Sequence, residues 1–148
     1  MTWLGSLFLV VATLLNNRGE TLRREGRYGE AAHLLKQSII AWETLLGPDH
    51  PNVAIPLNNL ALVDLAQGRL TSAEKRLRRV LRIRRQAFGD GHPLLAITAG
   101  NLAVVLGVQG RRTEAALLEA AIRAPAGASA VSRQPSDSIL NRQVPRIQ

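Results

Sequence analysis

The sequence predicts an all-α fold, an α-solenoid of about three antiparallel helix pairs, and three observations carry that prediction. The chain repeats itself every 42 residues. Its 148 residues are 46% apolar but only 3% aromatic, so a core must be built from Leu, Ala, Val and Ile. That composition suits closely packed helices better than a sheet sandwich. Glycines and prolines recur at fixed places in the period, where helices must stop and start.

The repeat needs no gaps. Gly26-Arg27-Tyr28 returns 42 residues on as Gly68-Arg69-Leu70, and 42 further on as Gly110-Arg111-Arg112. Asn17, Asn59 and Asn101 keep the same register, as do Gly19, Ala61 and Ala103, and Ala31, Ala73 and Ala115. The linker Leu46-Gly47-Pro48-Asp49-His50-Pro51 is answered by Phe88-Gly89-Asp90-Gly91-His92-Pro93. A fixed period of this length marks stacked supersecondary units.

Each unit reads as two helices. The first spans about 11–25, 53–67 and 95–109, each followed by a glycine suited to the left-handed conformation beyond a helix end. The second spans about 29–46, 71–88 and 113–123. Pro51 and Pro93 open the next unit, where a missing N–H does no harm. The small residues at 19, 61 and 103 and at 31, 73 and 115 let the two helices of a pair approach. The units are therefore expected at 11–52, 53–94 and 95–124. Residues 1–10 form a divergent hydrophobic N-terminal segment, with Ser6-Leu7-Phe8-Leu9-Val10 in place of polar linker residues. Residues 125–148, rich in Ser, Gln, Arg and Pro, are expected to be a disordered tail.

Three residues depart from the apolar pattern. Arg18 stands where the other units have Leu60 and Leu102, Glu119 replaces Leu35 and Leu77, and Asp64 replaces Leu22 and Leu106. Exposure of the terminal units accounts for Arg18 and Glu119. Asp64 is central and finds no explanation in the sequence.

Taken together, Pro56-Leu57-Asn58-Asn59-Leu60-Ala61, the Gly-Arg-x turn, Glu30-Ala31 and Glu114-Ala115 at the second helix, and Gly47-Pro48-Asp49-His50-Pro51 resemble tetratricopeptide repeats of the 42-residue kinesin light chain type. The resemblance covers about residues 11–124. It implies a right-handed superhelix whose concave groove holds an extended peptide, and hence a non-catalytic protein–protein interaction scaffold.

On that reading the peptide-binding residues are Asn17, Asn59 and Asn101 with their stripe neighbours Glu20, Arg24, Leu62 and Val104, flanked by Asn16 and Asn58. An amide carries both donor and acceptor, so a row of them can satisfy the main chain of a bound peptide. The competing reading is that each asparagine ties its helix to the neighbouring unit. Unit one is polar along this face and units two and three turn apolar, which matches a ligand with one charged and one apolar end. No lysine lies on the face, so the carboxylate clamp of some similar proteins is not expected.

The formal charge is +8, and seven cations crowd into residues 75–85. Arg78, Arg79 and Arg82 are the candidate contacts for a rival partner, a nucleic acid or another anionic polymer. No aromatics are interleaved for base stacking, which weighs against it. A third reading is a structural piece of a longer array, self-associating through uncapped ends.

Nothing points to catalysis. Without cysteine there is no thiolate metal site and no thiol nucleophile. His50 and His92 follow the repeat period and not a metal-ligand spacing, His33 stands alone, and Asp49 and Asp90 read as polar residues ahead of a helix. No cofactor or metal is expected. The uncharged stretch 3–15 is too short to span a bilayer and lacks a basic flank, so a cytoplasmic chain is expected over one with a signal or anchor.

Overall fold

In a computed structural model, which describes residues 3–124, six α-helices follow one another and no strand occurs among the described residues. They are α1 (Trp3–Arg24), α2 (Tyr28–Leu46), α3 (Ala54–Ala66), α4 (Leu70–Phe88), α5 (Pro93–Val108) and α6 (Arg112–Arg123). One 3-10 turn, Pro51–Val53, leads into α3. The tail expected at 125–148 lies outside the described residues.

The helices pack in chain order, each against the next, as a solenoid of three pairs. Cα atoms of α1 and α3, and of α3 and α5, also come within 8 Å, whereas among the described residues no such approach links α2 with α4 or α4 with α6. The stack therefore curves with the first helices of the units on its inner side. Two apolar clusters fill it. One joins units one and two through Leu22, Leu35, Leu57 and Leu60; the other joins units two and three through Leu77, Leu81, Leu102 and Leu106.

The repeated turn has a definite hydrogen-bonding scheme. Arg27 N–H donates to Leu22 O at 2.9 Å and Gly26 N–H to Arg23 O at 3.1 Å, and both bonds recur at 69→64 and 68→65, and at 111→106 and 110→107. This pair of bonds satisfies carbonyls orphaned at the helix end, and it requires a positive φ at the glycine, 72° at Gly68.

At the opposite end the capping acceptor is a histidine. His50 Nδ1 accepts from Asn52 N–H and His92 Nδ1 from Leu94 N–H, with proline at the first helical position of each. The aspartates expected to serve the helix N-termini reach arginines instead, Asp49 to Arg82 at 3.0 Å and Asp90 to Arg85 at 2.9 Å.

Gly19 shows why small residues recur mid-helix. A Cβ there would sit 2.7 Å from Leu35 Cγ and 2.9 Å from Cδ2. Ala61, Ala31 and Ala73 are wholly buried at the equivalent crossings.

Two readings change. Residues 3–10 are not a segment apart, since α1 begins at Trp3 and runs unbroken for 22 residues. The stretch that replaces the linker has neither proline nor charge, so nothing stops the helix. Asp64, unexplained in the sequence, is 1% exposed and forms a two-armed ion pair. Its Oδ1 accepts from Arg69 at 2.8 Å and its Oδ2 from Arg76 at 2.7 Å. The other units have Leu22 with Leu34 and Leu106 with Leu118 at the positions of Asp64 and Arg76, so an apolar pair has become a charged one.

Candidate functional site

The inner side of the curve is lined by one face each of α1, α3 and α5. Asn16, Asn58, Asn59 and Asn101 are half-buried there and Asn17 is exposed. The amides are not a row of independent side chains. Asn59 Nδ2 donates to Asn16 Oδ1 at 3.1 Å, and Asn101 Nδ2 donates to Asn58 Oδ1 at 3.2 Å. Asn16 Nδ2 in turn donates to Asn17 Oδ1 at 3.3 Å. Each unit is thereby tied to the next by one amide rung. Among the described residues, Asn59 Oδ1 and Asn101 Oδ1 accept no protein hydrogen bond and stay available to a ligand donor.

The ladder ends in unit three. Gly100 occupies the register of Asn16 and Asn58, and a Cβ built there meets nothing within 4 Å. Gly107, two turns on, is equally open. Around this notch stand Ile97, Val104 and Val108, 56%, 55% and 62% exposed, with Ile55 of α3 also exposed and Leu62 half-buried. Ile55 and Ile97 are not among the residues expected from sequence, which follow the stripe forward from each asparagine. The residue four positions before the asparagine shares that face equally, and this spacing is the signal that identifies them.

Unit one is polar along the same face. Glu20 accepts from Arg23 at 2.8 Å and from Arg24 at 2.8 Å. The Arg23 bond, more than the Arg24 bond, holds the Glu20 carboxyl below the ordinary glutamate range. Arg24 remains largely exposed, and it is the one cation of the expected stripe that can leave its partner cheaply.

The basic helix α4 is neutralised from within. Arg79 bonds Glu43 at 2.6 Å and Pro48 O at 2.7 Å, Arg82 bonds Asp49, and Arg78 bonds Glu74 and Glu114. Arg76 is held by Asp64 and Arg85 by Asp90. Arg84 is buried without a carboxylate and donates to Thr98 Oγ1 and Leu94 O, and burial lowers its proton affinity. Six carboxylates thus answer five of the seven cations, so much of the mutual repulsion expected along this helix is already relieved.

Burial raises Glu74, but hydrogen bonds from Arg78, Gln109 and Arg111 outweigh it and leave its carboxyl below the ordinary value. Glu114 is lowered chiefly by Arg78 and then Arg111. With folded values depressed, the unfolded chain binds more protons, so the stabilisation is complete above the ordinary 4.5 and is lost as pH falls through the folded values. Thermal unfolding is expected to show a melting temperature steady with respect to these groups from neutral pH down to about 5.5, then falling below about 4.5. Glu20 and Glu74 dominate that fall, because Glu114 is more exposed and more fully screened.

Among the described residues no three His, Asp or Glu side chains gather where a metal ion could be held, and no helix is long and apolar enough to cross a membrane. No curated protein matches the chain. The family model of the tetratricopeptide repeat matches residues 10–86 and again residues 53–122, which together take in α2 to α5, α1 from residue 10 onward and nearly all of α6. Repeats of this kind generally mediate protein–protein interactions. With the 42-residue period, the paired helices and that match in agreement, the chain belongs to the tetratricopeptide repeat family.

Proposed function

We propose that the chain is a non-catalytic scaffold whose inner face holds an extended peptide, with the peptide's apolar residues over unit three and its polar residues over unit one. The observation that carries this is the exposed trio Ile97, Val104 and Val108 around the open notch at Gly100. Apolar side chains left on an inner face beside unspent amide oxygens suit a ligand that brings both apolar side chains and main-chain N–H donors. Asn59 and Asn101 serve it through their Oδ1 atoms while their Nδ2 atoms hold the units together. Glu20 and Arg24 can swap partners to meet a charged end.

Binding of an anionic polymer by Arg78, Arg79 and Arg82 has a weaker basis. Each of these guanidinium groups is engaged by a carboxylate from its own or a neighbouring unit, so a phosphate has to displace a partner already in place.

Selection of random dodecapeptides on the full chain tests the reading. Enriched peptides are expected to carry apolar residues at one end, and Val104→Glu is expected to weaken them by about tenfold or more. The double change Asn59→Ala/Asn101→Ala is expected to weaken them with helicity retained. Peptides that bind Val104→Glu as tightly as the parent chain place the ligand elsewhere and overturn the assignment.

A further inference from the structure

The first half of α1 carries an apolar face that nothing in the chain covers among the described residues. Trp3, Leu4, Leu7, Phe8, Val10, Val11 and Leu14 are 79%, 58%, 47%, 53%, 54%, 40% and 61% exposed. They span a broad arc centred near Val11. The register explains what this arc is. Val11 and Leu14 are equivalent to Val53 and Pro56 at the start of unit two and to Leu95 and Thr98 in α5; all four are buried, Val53 in a cluster with residues of α2 and Thr98 under Arg84 of α4. The surface is thus shaped to receive a helix.

We infer that the helix it receives is α1 of a second copy, paired antiparallel about a twofold axis. Three observations select that occupant. The exposed apolar area is on the order of 700 Å², beyond the usual largest patch of a monomer and close to the roughly 800 Å² per partner of a stable interface. The opposite end of the stack is unsuited to it. There α6 stops at Arg123, short of the turns that in α4 bring Arg84 onto Thr98. It also presents Glu119 and Arg123 where the inner units have Leu35 and Leu77, and Ile39 and Leu81. Finally, residues 3–17 hold no charge, so the face lacks the cations that draw an amphipathic helix to an anionic membrane.

The surface is also self-complementary. A groove of about 300 Å³ beside Phe8, floored by Ile40, Ala41 and Leu45 of α2, offers a seat for a large side chain. Trp3, at the free end of the same helix, is the largest side chain available to fill it. In an isologous pair any such contact is made twice, once from each copy.

Sedimentation equilibrium of the full chain at tens of micromolar is expected to give the mass of two chains. Leu7→Glu/Val11→Glu, which sets like charges face to face, is expected to give the mass of one, raising the dissociation constant by about 100-fold or more with helicity unchanged. If that variant loses helicity, Leu14→Gln at a 61% exposed site takes its place. The chain has no native cysteine. Val11→Cys is therefore expected to join two copies through a short bismaleimide, and Leu117→Cys on α6 is not. A single-chain mass for the parent protein overturns the inference, whether residues 125–148 or nothing covers the face. Persistence of the dimer in the glutamate variant, a cross-link formed only between positions 11 and 117, or a monomer that sediments with phosphatidylcholine vesicles overturns it as well.

Discussion

Arg76→Leu is expected to lower the unfolding free energy by about 3 kcal/mol, and Asp64→Leu/Arg76→Leu to bring it back to within about 1 kcal/mol of the parent or above it. Both are read from urea unfolding followed by circular dichroism. The single change leaves a 1% exposed carboxylate with only Arg69, whose side chain is about half exposed and bonds one of the two carboxylate oxygens. Removing one arm of a buried pair strands a charge out of water, and that is what makes it costly. The double change recreates the leucine pair that units one and three already have at 22 with 34 and 106 with 118. The surrounding helices accommodate that pair twice. A double variant no more stable than the single one means that the backbone of unit two has adapted to the ions, and the equivalence fails.

Gly19→Val is expected to cost about 2–3 kcal/mol through overpacking. Even the first carbon of the new side chain falls inside the contact distance of Leu35, which is fully buried and has no room to retreat. Combining it with Leu35→Ala is expected to recover part of the loss, because each change relieves what the other imposes. Thermal or denaturant unfolding of the two single variants and the double gives the coupling directly, and additive losses show that the two side chains do not meet.

What the period carries, the sequence shows plainly. Gly26, Gly68 and Gly110 mark the ends of the first helices, the second helices begin within a residue of their expected starts, and the small residues at 19, 61 and 103 sit at the crossings. What relates one register to another is harder to see. The amide rungs join residues 43 apart, Asn16 to Asn59 and Asn58 to Asn101, so comparing equal positions hides them. Asp64 looks anomalous when compared only with Leu22 and Leu106. Its reason stands twelve residues on, where Arg76 has replaced a leucine in the same unit. The histidine caps were obscured because the neighbouring aspartates are the commoner helix-capping residues; at these sites they lie outside the capping position and are drawn to arginines. The unbroken start of α1 was hidden by Leu4-Gly5, which echoes a linker that the following residues do not continue.

Repeat proteins are usually treated as interchangeable bricks, yet the middle brick here is a keystone. Its arginines lean on Glu43 and Asp49 of the unit before and on Glu114 of the unit after. Duplicating or transplanting residues 53–94 leaves several guanidinium groups facing neighbours that cannot answer them. The array is consequently locked in its order of parts, and a longer version can grow from its outer units more readily than from its centre.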